Sequence, residues 1–600
     1  MSYRNIAIIA HVDHWKTTLV DALLKQSWTF WGHESVETCV MDSDDQEKER
    51  WITIYAKNTS VQYKDCKINI MDTPGHADFW SEVERVLKMV DCVCLLVDAY
   101  EWPMPQTKFV LKKSLELWLK PIVIINKIDK PASRPDEVHD MVFDLFAQLW
   151  ADDEQLDFPM IYAIWKDWIA IKELSDEKKD ITPLFDLIME KVPEAWNDTD
   201  AKLKMQVINL EYDNFLWRMW LWRVYEWKVK MWQTVTIIWN DWKTRTWKIS
   251  KIFTTLWLNR KVEVQEWVAW DVITIAWIPD IFVWETICQD ADQEPMTPIT
   301  IDEATLSMEF LPNDSPFAWK EWKYVTSRNI RERLEKELET NVWLHVEFWW
   351  ENSFTVYWRW ELHISVLIET MRREWFELQV WAPKVVFKED ENWKMTEPME
   401  NVVINVPEEF SWAVIEKLWK RKWEMTNMET SDWIVSMEFT VPSRWLLWYK
   451  NIFTVDTKWE WILASSFSHY WEYKWEIAKR DVWSMISWET WKTMAYSLFW
   501  LQDRWPLFVE AATEVYMWMI IWEHLKWNDL VVNATKNKKL TNVRASWTDE
   551  ALKLTSPRLM SLEEALDYIW PDEYVEITPE NIRVRKIYLT ENERKKNTRK

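Results

Sequence analysis

The sequence has almost no glycine. Two of its 600 residues are glycine, Gly32 and Gly75, where ordinary usage of about 7% predicts about forty. A chain this long needs residues that accept positive φ at turns and helix ends, and glycine normally supplies them. Cysteine is scarce too: five residues exclude a disulfide framework. Cys92 and Cys94, two apart in an apolar run, read as free thiols on one strand face in a reducing compartment. Positive charge is in deficit. A formal net charge of -25 excludes a chain that coats nucleic acid and leaves such contact to local basic patches. Long hydrophobic runs are also missing. Stretches such as Cys92–Val97 fall far short of the roughly 20 residues that span a bilayer. The segment from Met1 to Ala10 is no basic-then-apolar leader. No membrane contact is expected, and a cytoplasmic location is.

What the chain does contain is globular composition, 28% charged and 48% hydrophobic, over a length that calls for several domains at roughly 100–200 residues each. It also contains 54 tryptophans, and these follow turn grammar rather than core periodicity. Trp239-Asn240-Asp241-Trp242-Lys243 sits between the strand-like Thr234–Ile238 and Thr244–Ile249, where a hairpin would use glycine. Trp227, Trp270 and Trp547 stand in similar contexts, and Trp15 precedes Lys16-Thr17-Thr18 where a phosphate loop wants glycine. Tryptophan and glycine together make up about 9% of the chain, an ordinary-to-high glycine content. The sequence therefore reads as one in which nearly every glycine has been replaced by tryptophan. An aromatic-rich binder, such as a carbohydrate or stacking platform, is the alternative.

Four motifs in order carry chemistry. Asn5–Ala10 is an apolar run of strand length, followed by His11-Val12-Asp13-His14-Trp15-Lys16-Thr17-Thr18 and then by Leu19, Leu23 and Leu24 at helical spacing. Strand, loop, Lys-Thr and helix form a phosphate loop. Backbone N–H groups and the helix start bind phosphates, Lys16 reaches the β/γ oxygens and Thr17 ligates Mg2+. Ile68–Met71 is a second strand, running into Asp72-Thr73-Pro74-Gly75-His76. Asp72 can hold Mg2+ through water, Gly75 offers an N–H to the γ-phosphate, and His76 is placed to orient the attacking water. Thr53, in Glu49-Arg50-Trp51-Ile52-Thr53, suits a switch threonine that meets γ-phosphate and metal. A third strand, Ile122–Ile125, leads to Asn126-Lys127-Ile128-Asp129, whose carboxylate can accept guanine N1–H and the 2-amino group. Any one motif could be a turn or a helix cap; four in order, three at strand ends, point to guanine nucleotide over adenine. His11 and His14, three apart, make no case for a metal, and Asp13 reads as a loop brace.

These residues resemble the translational GTPases, and among them the BipA/TypA ribosome-associated family. The likeness runs nearly end to end. It passes through Met104-Pro105-Gln106-Thr107, Asp153–Phe158, Ser365–Arg372, Phe467-Ser468-His469-Tyr470, Leu501-Gln502-Asp503-Arg504 and Lys538–Ser546. The resemblance implies a multidomain α/β fold: a P-loop GTPase domain to about residue 198, a β-barrel second domain over about 199–298, two small α/β (ferredoxin-like) domains over about 299–385 and 386–478, and a family-specific C-terminal domain over about 479–600. A long helix is expected at Asn329–Thr340, where Leu334 and Leu338 recur at i, i+4.

The resemblance also implies function. His76 is the catalytic residue. Asp13, His14, Trp15, Lys16, Thr17, Thr18, Asn126, Lys127, Asp129 and Ala163 form the nucleotide site, Thr17, Thr53 and Asp72 the Mg2+ site, and Thr53 and Gly75 the switches. Lys538, Lys539, Arg544 and Ser546 match the family's RNA-contacting loop; a solvated turn is the alternative there. The implied role is GTP hydrolysis on the ribosome, acting in ribosome assembly or in translation under stress and cold. The implied partners are large-subunit rRNA and proteins and the A-site tRNA, met by a monomer. A GTP-switched assembly or scaffolding factor whose hydrolysis is only a timer is the second possibility. The basic residues of 583–600, from Arg583, Arg585 and Lys586 onward, suit either phosphate contact or a disordered solubilising terminus.

Three departures stand out. Trp15 replaces the loop glycine, Ile164 fills the serine position of the Ala163–Lys166 guanine loop, and Tyr357–Glu361 departs from a Gly-Arg-Gly-Glu turn. A side chain forced into left-handed backbone costs roughly 1–2 kcal/mol. With so many tryptophans, the third possibility is a non-functional variant that does not fold stably or does not bind nucleotide.

Overall fold

The computed structural model describes residues 2–10, 16–28, 45–50, 52–75, 80–100, 105–149, 151–194, 202–213, 217–226, 228–238, 244–255, 261–268, 271–276, 285–296, 303–321, 323–341, 343–349, 352–359, 361–390, 392–420, 423–431, 434–447, 462–474, 483–502, 507–524, 528–537, 554–589 and 593. The chain divides into two compact units, Met1–Ile301 and Asp302–Lys600.

The first unit opens with the apolar runs read from the sequence. They become β1 (Ser2–Ala10), β2 (Lys57–Tyr63), β3 (Cys66–Asp72), β4 (Cys92–Asp98), β5 (Lys120–Asn126), β6 (Met160–Ile164) and β7 (Ile169–Ile171), ordered β2-β3-β1-β4-β5-β6-β7. The five inner strands are parallel; β2 and β7 run antiparallel at the edges. A near-continuous apolar run with every residue buried, as in β4, is what a parallel sheet covered on both faces requires, and β3 is buried throughout as well although it carries Lys67, Asn69 and Asp72. Helices α1 (Lys16–Trp28) and α2 (Asp45–Arg50) follow β1. Pro135 starts the helix Pro135–Gln148, where its missing N–H costs nothing.

The expected barrel domain is an antiparallel eight-stranded sheet whose strands lie between Lys204 and Cys288. Its attachment to β3 is polar and buried. Lys67 Nζ lies 2.9 Å from Asp271 Oδ2 and donates to Thr254 Oγ1 at 2.9 Å, and Asn69 donates to Asp271 Oδ1 at 2.8 Å. Asn69 also donates to Asn5, Asn5 to Asp91, and Arg223 of the barrel to Asp91 at 2.5 Å.

The second unit contains two copies of one topology. Leu306–Pro312, the helix Ser327–Thr340, His345–Phe348, Phe354–Trp358, the helix Glu361–Arg373 and Leu378–Trp381 form a βαββαβ unit. Its second, third, first and fourth strands lie side by side in that order, the ferredoxin-like arrangement. The long helix begins two residues before its expected start, capped by Thr326. Met395–Pro407, Glu408–Lys420, Glu424–Ser431, Ile434–Pro442, Ser443–Leu446 and Ile462–Glu472 repeat the pattern. Glu573–Ile577 and Ile582–Lys586 extend the first of these sheets beyond Leu378–Trp381.

That extension corrects the reading of Arg583, Arg585 and Lys586 as part of a free basic tail. Arg583 pairs with Glu321 and Glu576, Arg585 pairs with Asp314, and Lys586 pairs with Asp529, Asp572 and Glu573. Burial opposes the Lys586 charge, yet the three carboxylates outweigh it and hold its pKa above the ordinary value.

Eleven described non-glycine residues have positive φ, and seven are tryptophan: Trp118, Trp168, Trp232, Trp319, Trp375, Trp393 and Trp518. The backbone explains the position of several. Trp118 N–H bonds Leu115 O and Leu119 N–H bonds Ser114 O, the paired bonds of a helix end whose left-handed residue is normally glycine. Trp375 and Phe376 repeat this with Arg372 and Met371. Trp393, closing the turn after Asp390, and Trp232, inside the Lys230–Gln233 turn, take hairpin and turn sites of the same kind.

Candidate nucleotide site

Parallel strands put their carboxyl ends on one edge of a sheet, and ligands bind outside that edge. Here the edge gathers Ala10, Asp72, Asp98, Asn126 and Ala163, through the registers Ile8↔Asp72, Ala10↔Leu96, Asp98↔Asn126 and Asn126↔Ala163. Of the site residues read from the sequence, Asp72, Asn126 and Ala163 therefore share one rim, and others lie outside the described residues. Asp13, His14, Trp15 and His76 are outside them, as are Lys538, Lys539, Arg544 and Ser546.

Lys16, Thr17 and Thr18 form the first turn of α1, and Thr17 is half-buried. Lys16 is buried, lies 3.0 Å from Asp72 Oδ1 and donates to the Thr73 carbonyl. Thr73 in turn donates to Ile8 O at 2.7 Å. Asp72 is fully buried and receives no well-aligned hydrogen bond from the described residues. A buried carboxylate satisfied only by an ammonium suits a hard cation that prefers oxygen ligands. Asp72 offers the oxygen donor Mg2+ prefers, as would the hydroxyls of half-buried Thr17 and buried Thr53. Gly75, three residues beyond Asp72, is half-buried.

At the other end of the rim Asn126 Oδ1 accepts the Trp165 N–H at 3.3 Å. Lys127 has φ 63 and its ammonium lies 2.5 Å from Asp98 Oδ2, while Asp98 Oδ1 accepts the Tyr100 N–H. Ala163 is fully buried beside Asn126. Trp165 is buried as well, with no acceptor for its indole N–H among the described residues. Where the guanine loop was expected, the Trp165 indole is packed into the hydrophobic cluster that also holds Ile161, Ala163 and Ala170.

Nothing in the linear order of residues marks Glu47 or Asp98. Both are fully buried carboxylates in contact with the site's own segments: Glu47 with the residues after Thr53, Asp98 with Lys127. An acid inside an otherwise polar helix or at the end of an apolar run has no local signature; only a buried partner identifies it.

Comparison with known proteins agrees with this geometry. Residues 1–194 match the elongation factor Tu GTP binding domain, 394–481 the elongation factor G C-terminus and 483–591 the TypA/BipA C-terminal domain. The chain is 48% identical over 599 residues to the large ribosomal subunit assembly factor BipA of Salmonella typhimurium, covering 99% of this chain and 98% of that one. It is 46% identical over 600 residues to the protein of the same name from Bacillus subtilis, covering 100% and 98%. A crystal structure from Thermus thermophilus superposes with a TM-score of 0.55 at 14% identity, over 78% of this chain and 97% of that one, a likeness of fold.

Proposed function

This chain belongs to the TypA/BipA family of GTPases, and from that premise we propose that it hydrolyses GTP on the ribosome while the large subunit is assembled, or during translation under stress and cold. The bacterial relatives carry the name of large-subunit assembly factors, and their task is carried over here. The observation that supports the site assignment most strongly is the buried Asp72 carboxylate facing Lys16 beside Thr17.

Thr17, Thr53 and Asp72 would hold Mg2+, which supplies charge neutralisation on the phosphates. Lys16, now on Asp72, would turn to the β/γ oxygens as nucleotide enters. Asn126, Lys127 and Asp129 would hold the base, with Asp98 fixing Lys127 from behind. His76 would orient the attacking water, and Gly75 would offer its N–H to the γ-phosphate. Lys538, Lys539, Arg544 and Ser546 would meet RNA toward the A-site tRNA, with the chain acting as a monomer in the cytoplasm. No described helix is long and apolar enough to cross a membrane.

The test is phosphate release from GTP with and without ribosomes. Ribosomes should stimulate it, and His76→Ala should remove the stimulation while GTP binding persists. Absence of stimulation would end this reading. A His76→Ala chain that still rescues subunit assembly would make hydrolysis a timer only.

A further inference from the structure

A buried carboxylate braces the switch-threonine segment. Glu47 lies in α2 and is fully buried. Its Oε1 accepts the backbone N–H of Ile54 at 3.0 Å and of Tyr55 at 3.2 Å, the two residues after Thr53. Its Oε2 pairs with Lys57 Nζ, and its backbone carbonyl accepts the Ile52 N–H at 3.3 Å. The chain on both sides of Thr53 is thus tied to one residue. Lys57 opens β2 and stands in register with Asp72 on β3. The ties run from the switch threonine, through Glu47, to the strand position opposite the proposed metal-binding aspartate.

Buried backbone N–H groups need an acceptor, and a single carboxylate oxygen supplies one to both Ile54 and Tyr55. A charged acceptor gives roughly twice the strength of a neutral one. We infer that Glu47 is a positioning residue, one that shapes residues 52–57, and Thr53 among them, before nucleotide arrives. It touches neither phosphate nor metal; it acts through the backbone of Ile54 and Tyr55. This inference rests on the reading of Thr53 as the switch threonine.

The experiment uses the full chain and has two arms. In the first, amide hydrogen exchange at Ile54 and Tyr55 is followed without nucleotide in the parent, Glu47→Ala and Glu47→Gln. Loss of the acceptor should speed exchange at these two amides by about tenfold or more in Glu47→Ala. The glutamine variant, which keeps an acceptor oxygen, should recover most of the protection. Equal exchange in all three would overturn the inference. So would acceleration spread evenly over β1 to β7, because that marks general loosening rather than a local brace.

In the second arm, affinities for GTP and GDP are compared with Mg2+ present. A brace on the γ-phosphate switch should cost Glu47→Ala about tenfold in GTP affinity and leave GDP affinity unchanged. An equal loss for both nucleotides would refute positioning of the switch. If the parent binds neither nucleotide, the same comparison is made with Glu47→Ala in the Trp15→Gly chain; a Trp15→Gly chain that also binds neither counts against the GTP-site reading, and the exchange arm alone then decides the brace.

Discussion

Replacing Trp319, Trp375 and Trp393 together by glycine is expected to leave the second compact unit more stable than replacing them together by alanine. All three sit at positive φ, 73°, 69° and 59°, where a side chain costs about 1–2 kcal/mol. They are 54%, 52% and 84% exposed, and both substitutions give up the same partial burial of the indoles, so that loss cancels between them. Glycine gives back about 0.4–1 kcal/mol through its freer unfolded chain. The net advantage over alanine is about 0.5–1 kcal/mol per site, or about 1.5–3 kcal/mol for the three. At about 2–4 °C per kcal/mol, calorimetry of the full chain should show the corresponding transition about 3–12 °C higher in the glycine triple variant than in the alanine one. Alanine removes the same indoles but keeps a Cβ at positive φ. Trp518 is the contrasting case: it too has positive φ, yet only 7% of it is exposed. Trp518→Gly should destabilise, since removing a buried aromatic costs about 3–5 kcal/mol. Glycine and alanine triple variants that melt alike would refute the strain argument.

Three further outcomes are expected. Asp271→Leu removes the partner of the buried Lys67 and should cost the first unit about 3–5 kcal/mol, read as loss of its transition while that of the second unit persists. Asp98→Asn should weaken guanine-nucleotide binding by about tenfold and also lower the melting temperature of the first unit, because buried Lys127 loses the carboxylate that fixes and neutralises it. Glu369 carries the pH-dependent case. Burial raises its pKa, but hydrogen bonds from Arg372 and Arg373 outweigh burial, and the net value lies below the ordinary 4.5. A carboxyl with a depressed folded pKa stabilises the fold above its unfolded value and loses that contribution as pH falls through the folded one. Glu369→Gln should therefore melt lower than the parent near neutral pH, and the gap should close as pH drops below about 4.5.

The sequence reveals the nucleotide-binding sheet because its strands are buried on both faces. Ile6–Ala10 and Ile122–Ile125 stand out as unbroken apolar runs and Ile68–Met71 as one interrupted by Asn69, and the chemistry follows each strand closely, so order along the chain predicts neighbours on the rim. The helix 327–340 is legible for a similar local reason, its repeating leucines. The pairing of Leu378–Trp381 with Glu573–Ile577 is not, since strands nearly two hundred residues apart share no local pattern. That pairing is also what turns Arg583, Arg585 and Lys586 from a basic run into buried ion-pair partners. The ties from Lys67 to Asp271 and from Glu47 to Ile54 escape the sequence likewise, because a polar residue in a strand or helix reads as solvent-facing until its partner is known. The tryptophans are legible in the opposite sense. Trp118, Trp375 and Trp393 look misplaced as core residues, and the backbone gives them glycine geometry.

The central claim is that a guanine nucleotide binds between Lys16-Thr17 and Asn126–Asp129, and that Trp15, at the phosphate-loop position where glycine is expected in the sequence, weakens that binding. A GTP titration with Mg2+, run on the parent chain beside Trp15→Gly, tests it most directly. The account predicts micromolar or tighter binding by Trp15→Gly, at least about tenfold stronger than the parent, and loss of that binding on adding Asp129→Ala. Parent and Trp15→Gly chains that bind GTP equally, or binding indifferent to Asp129→Ala, would contradict it.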